Sequence, residues 1–123
     1  MSKTVVIDLD GVIVDFNNCE NRGVCDYSKY PEEINLDRSK CPVNKMAKSY
    51  LNMIKSMDLR IIILTSRVYR ERPATIRWLR KHEIPYDEIQ FNKPRGFIYC
   101  DDLGYKFENW EDTLKEIERR VTV

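Results

Sequence analysis

The run Val5-Val6-Ile7-Asp8-Leu9-Asp10-Gly11 constrains this chain more than any other stretch. Its β-branched start is short and continuous, the pattern of a buried strand. It then stops in two carboxylates and a glycine. Burying a carboxylate without a partner costs several kcal/mol, so the pair belongs at an open strand end, compensated by a cation. Residues i and i+2 of a strand share a face. A chain extended through Asp10 therefore aims both carboxylates at one point, a geometry suited to a divalent metal and a substrate phosphate. An acidic turn is the bland alternative, and the rest of the chain weighs against it.

Further apolar runs follow. Arg60 to Leu64 reads as a second buried strand ending at Thr65-Ser66-Arg67. Glu88 to Phe91 is a short third, followed by Asn92-Lys93-Pro94. Gly96 to Cys100 supplies a fourth, Phe97-Ile98-Tyr99-Cys100, ending at Asp101-Asp102. Helical periods separate them. Val43, Met46, Ala47, Tyr50, Leu51, Ile54 and Met57 fall on one face, with Pro42 in the first turn. Pro73 opens a second helix with Ile76 and Leu79 inward. Asn109 caps a third, with Asp112 three residues on and Trp110, Leu114, Ile117 and Val121 on the apolar side. Strands alternating with helices predict an α/β fold: a three-layer, Rossmann-like, mostly parallel sheet with helices on both faces. Ligands of such sheets gather at the carboxyl ends of the strands. Asp8, Asp10, Thr65, Lys93, Asp101 and Asp102 are all expected there.

A chain of 123 residues forms one domain, expected over 1–123, and its 42% hydrophobic and 33% charged residues are those of a soluble globular protein. The net charge of +1 gives no global reason for nucleic-acid or membrane binding. No apolar run has the length to span a bilayer. Met1-Ser2-Lys3 leads straight into the first strand without a signal-peptide pattern, so the expected compartment is the cytoplasm. Cys19, Cys25 and Cys41 share one irregular segment without close Cys-x-x-Cys spacing, which favours free thiols over zinc. Cys100 reads as a small core residue.

These residues include a nucleophile, an acid/base group, metal ligands, a hydroxyl and a fixed cation. Phosphoryl transfer through an aspartyl-phosphate requires those parts. In this respect the chain resembles the haloacid dehalogenase-like (HAD) phosphatase superfamily over most of its length. Ile7-Asp8-Leu9-Asp10-Gly11-Val12 is similar to its first motif, and Ile63-Leu64-Thr65-Ser66-Arg67 to its second. Lys93-Pro94 resembles the third, and Tyr99-Cys100-Asp101-Asp102 the fourth. The resemblance implies Asp8 as nucleophile and Asp10 as general acid/base. It implies Mg²⁺ on Asp8, Asp101 and the Asp10 carbonyl, with Asp102 a further ligand or a neighbour of one. Thr65, Ser66, Arg67 and Lys93 would bind phosphate. The separate structural readings are a turn-capping hydroxyl at Thr65, a solvated loop lysine at Lys93, and a cap of the Gly104 turn at Asp101 and Asp102.

Residues 12–41 form a long loop in the position of a minimal cap, and Arg67 to Phe91 leaves no room for a larger one, so the protein resembles the small capless members. The expected reaction is Mg²⁺-dependent hydrolysis of a phosphomonoester, on a nucleotide or other small organic phosphate. A phosphatase acting on a nucleic-acid end is the alternative, similar to the phosphatase portion of polynucleotide kinases. A non-catalytic module that binds a phosphorylated partner is a third reading. Arg67, Arg70, Arg72, Arg77, Arg80 and Lys81 form a basic patch that reads first as a solvated helix face, and second as an attractor for a nucleic-acid end. Tyr27 and Tyr30 are candidates to stack on a base. An oligomer is compatible with the sequence and not required by it.

Overall fold

The computed structural model describes residues 3–19 and 41–122. Strand β1 (Thr4–Asp8) leads through a short 3-10 turn (Phe16–Asn18) to helix α1 (Ala47–Ser56). Strand β2 (Arg60–Leu64), a second 3-10 turn (Tyr69–Glu71), helix α2 (Arg72–Lys81), strand β3 (Glu88–Gln90) and helix α3 (Trp110–Val121) follow. The strands form one parallel sheet in the order β1-β2-β3. Register runs from Thr4 opposite Arg60 to Asp8 opposite Leu64, and Leu64 lies opposite Gln90. The strands therefore end level, and their carboxyl ends form one rim. This is the α/β, Rossmann-like arrangement the alternation predicts.

Packing follows the two-residue period of the strands. Ile7, Ile61 and Ile63 are buried, and Leu51 and Ile54 of α1 and Leu79 of α2 belong to the same core. Each fully buried aliphatic side chain contributes about 1.5–3 kcal/mol. On the opposite phase of β1, Val6 is 56% exposed. Helix α3 packs on α1, where Trp110 stacks with Tyr50 at 6.2 Å and meets Phe107 edge-on at 5.4 Å. Its cap forms as expected: Asn109 Oδ1 accepts from the Asp112 amide at 2.8 Å. Among the described residues no helix is long and apolar enough to cross a membrane.

Four expectations are corrected. First, Gly96 to Cys100 is not a strand. Phe97, Ile98 and Tyr99 are exposed and pair with no ladder. Instead the Tyr99 hydroxyl donates to the Pro94 carbonyl at 2.7 Å and accepts from the Gly96 amide at 3.2 Å, closing the segment on itself. A short apolar run needs a neighbouring strand, and local side-chain bonds compete with that. Second, α1 begins at Ala47, not in the turn holding Pro42. Val43 pairs antiparallel with Val14, and the Asn44 amide donates to the Ile13 carbonyl at 2.8 Å, so these residues are tied to the chain after β1. Third, Cys19 and Cys41 are neither free nor zinc ligands: they form a disulfide, with Cα atoms 4.8 Å apart. Closing a loop of that length stabilises by about 3 kcal/mol in the chain-entropy account. Fourth, Cys100 is exposed rather than a core residue. Cys25, Tyr27 and Tyr30 lie outside the described residues, as does most of the interval expected in the cap position.

Candidate active site

The rim at the strand ends is built by a backbone turn and two short crossings. After Leu9 the chain turns so tightly that the Leu9 carbonyl accepts from the amides of Val12, Ile13 and Val14 at 3.3, 3.0 and 2.9 Å. Gly11 sits in this turn at φ +89°, which a residue with a Cβ adopts only under strain. Leu9 is fully buried while Asp8 and Asp10 both line the cleft, the alternation expected of positions i and i+2. Beyond β2 and β3, the Thr65 amide donates to Gln90, the Lys93 amide to Thr65 and the Asn92 amide to Arg67, each at 2.9 Å. Asn92 takes the left-handed conformation at φ 63°, which Asn tolerates, and turns Lys93 towards the cleft.

The two aspartates have different surroundings. Asp8 Oδ1 accepts from the Leu9 amide at 2.9 Å, and Asp8 Oδ2 lies 3.6 Å from Lys93 Nζ. Burial pushes the Asp8 carboxyl above its ordinary value, with the Lys93 ammonium the main opposing influence. Asp10 is gripped at both oxygens by Arg67, Nη2 to Oδ1 at 2.6 Å and Nε to Oδ2 at 2.9 Å. Arg67 itself is 4% exposed and donates a further bond to Thr75 Oγ1 at 3.2 Å. This two-point grip orients the Asp10 carboxylate, as planar guanidinium–carboxylate pairing does. Lys93 is oriented in turn by Tyr99, whose ring centre lies 4.5 Å from Nζ.

Other expected site residues divide between rim and interior. Ser66 lines the cleft. Thr65 is 1% exposed, and its hydroxyl accepts from the Arg67 amide at 3.1 Å, the turn-capping arrangement. Asp101 and Asp102 are exposed and, because residues 97–100 form no strand, do not stand at a strand end. Asp101 Oδ1 accepts from the Leu103 amide at 2.7 Å and from the Gly104 amide, the alternative weighed from sequence. Arg70, Arg72, Arg77, Arg80 and Lys81 are exposed and do not line the cleft, and only Arg67 of that group is buried.

Magnesium can be tested against this donor set. Mg²⁺ keeps several waters and is commonly held by one or two carboxylates plus substrate phosphate. Asp8, which lines the cleft at the end of β1, fits one such position. Asp10 is engaged by Arg67, and among the described residues no three His, Cys, Asp or Glu side chains come together to hold a metal. The residues fit a cation shared between Asp8 and substrate, not a cage that includes Asp101 and Asp102.

The cleft encloses about 260 Å³ and is lined by Asp8, Asp10, Phe16, Ser66, Arg95, Gly96 and Tyr99. Phe16, Arg95 and Gly96 carry no sequence signal of their own. Phe16 is a lone aromatic in the polar stretch Asp15-Phe16-Asn17-Asn18, and Arg95 could have been suspected only from its closeness to Lys93. Tyr99 reads from sequence as part of a strand.

No family model and no curated protein matches the chain. Among solved structures it is similar to a crystallised target protein from Vibrio cholerae, with 24% identity and a TM-score of 0.59 over 94% of this chain and 98% of that one. It is also similar to a chain in the Pnkp1/Rnl/Hen1 complex, with 24% identity and a TM-score of 0.56 over 80% of this chain. A chain in a structure of the Pnkp1/Rnl/Hen1 RNA repair complex gives 23% identity and a TM-score of 0.57 over 98%. The present chain spans only 31% and 32% of those last two. These likenesses show a shared fold.

Proposed function

We propose that this protein is a phosphomonoester hydrolase that works through a phosphorylated Asp8. One observation carries the reading: at the end of β1 a carboxylate raised by burial stands 3.6 Å from a lysine, beside a second carboxylate fixed by a buried arginine. Asp8 attacks phosphorus, and the bond from phosphorus to the ester oxygen breaks. Lys93 offsets negative charge on Asp8 and on the incoming phosphoryl oxygens, and Ser66 offers a hydroxyl at the rim. Asp10, once protonated, gives its proton to the leaving oxygen and then accepts one from the water that hydrolyses the acyl phosphate. Arg67 keeps Asp10 oriented throughout. Mg²⁺ bound at Asp8 would screen the repulsion between a carboxylate and a phosphate dianion.

The substrate class is a nucleotide or another small organic phosphate. A nucleic-acid end is a second reading, supported by the fold shared with a chain of an RNA repair complex and by the exposed arginines of α2. The disulfide bears against the cytoplasmic expectation, because such bonds are rare in reducing compartments. A panel of phosphate esters incubated with Mg²⁺ tests the activity, with Asp8→Asn and EDTA as controls. Turnover that both controls abolish is the expected result. A purified, folded protein that hydrolyses no ester in the panel would leave phospho-ligand binding as the better reading.

A further inference from the structure

We infer that the substrate carries a nucleobase and that Phe16 stacks on it; this rests on the phosphatase reading of the same cleft. Phe16 is half-buried and lines the cleft with Asp8, yet among the described residues it does not pack on the hydrophobic core. A phenylalanine held at a polar cleft is costly to leave facing water unless a planar apolar group covers it. Its mount is rigid. The Asp15 amide donates to the Pro42 carbonyl at 2.9 Å, Asn18 Nδ2 to Asp15 Oδ2 at 2.8 Å, and the Cys19 amide to the Phe16 carbonyl at 3.2 Å. The disulfide to Cys41 fastens the residue immediately after that turn.

Tyr99 supplies a second aromatic wall, fixed by the two bonds of its hydroxyl, and Arg95 adds a cation at the rim. Two rings and an arginine around a phosphate-directed carboxylate are the elements with which proteins hold single nucleotides: the base stacks, and the cation meets the backbone. A plain sugar phosphate leaves both rings uncovered. A free nucleotide and the terminal nucleotide of a strand present the same chemistry here.

The test compares wild type, Phe16→Ala and Phe16→Trp on a nucleoside monophosphate, an oligonucleotide with a terminal phosphate, and ribose 5-phosphate. Base stacking contributes roughly 10- to 100-fold in affinity. Phe16→Ala should lower kcat/KM for the nucleoside substrates by about that factor more than for ribose 5-phosphate, and Phe16→Trp should restore it. Equal losses on all three substrates, or none, overturn the inference. Preference for the oligonucleotide identifies a strand end, and preference for the nucleoside monophosphate identifies the free nucleotide; either agrees with stacking. Tryptophan fluorescence gives a readout independent of turnover. Nucleoside monophosphate, but not ribose 5-phosphate, should quench Phe16→Trp beyond wild type, even if no ester is hydrolysed. Absence of that extra quenching counts against stacking, whereas absence of turnover counts only against the hydrolase reading.

Discussion

Two apolar runs of this chain end in paired aspartates, and only the first is a strand. Val5 to Ile7 lies against β2, and Asp8 and Asp10 emerge at its end in a cleft. Phe97 to Cys100 finds no ladder, curls through Tyr99 onto Pro94 and Gly96, and leaves Asp101 and Asp102 in solvent. The same local composition gives opposite outcomes because strand formation is a property of pairs. Placement then decides chemistry: the first pair is partly buried and held by cations, whereas Asp101 bonds the next amides of its own turn.

The largest expected effect tests the first pair. Asp8→Asn should reduce turnover by at least about 10³-fold, as loss of a nucleophile does. Single-turnover assays that still trap a phosphorylated enzyme in that variant would move the nucleophile elsewhere. Next comes Arg67→Ala, which removes the buried guanidinium that holds half-buried Asp10 and should cost about 1.5–3 kcal/mol in urea unfolding, the scale of hydrogen bonds to a charged group. A loss below about 1 kcal/mol would mean that the pair behaves like a surface contact.

At the second pair, Asp101→Ala should cost no more than about 1 kcal/mol, the scale of an ordinary hydrogen bond. If instead it abolishes Mg²⁺-dependent turnover while the protein stays folded, Asp101 reaches the cleft during reaction and the contrast between the pairs breaks down.

The smallest effects concern pH, and their signs oppose. In metal-free protein the raised Asp8 carboxyl binds its proton more tightly folded than unfolded. Stability should therefore fall as pH rises from 3.8 through the higher folded value, and Asp8→Asn should remove that fall. Glu116 on α3 is the reverse. Its bonds to Arg119 and Arg120 hold it down at about 2, so its contribution is present above 4.5 and fades as pH drops through about 2. Because this group is exposed, added salt should weaken the second effect first. Thermal unfolding across pH, with and without salt, reads both.

Legibility from sequence followed the range of the interactions involved. β1, β2, β3 and the Asn109 cap could be read because period and capping are local. The placement of Asp8 and Asp10 on one side of the chain followed from the strand period alone. Arg67 could be aimed at the cleft, but its grip on Asp10 spans 57 residues and has no local sign. Thr65 shows the same limit: a strand-end hydroxyl faces either a ligand or the next turn, and here it accepts from the Arg67 amide. The disulfide escaped because pairing depends on where α1 starts, and that start is displaced by contacts of Val43 and Asn44 with residues before the loop.

By itself, then, the sequence determined the α/β class, the largely parallel sheet of short strands and the Asp8-Asp10 pair at the end of the first, since each rests on periods of two to four residues. Tertiary structure alone decided which aspartate meets lysine and which meets arginine, that Asp101 and Asp102 stay outside, and that Phe16, Arg95 and Tyr99 wall the cleft. Those outcomes depend on which partners a side chain finds, near or distant in sequence, a competition resolved only when the chain closes on itself.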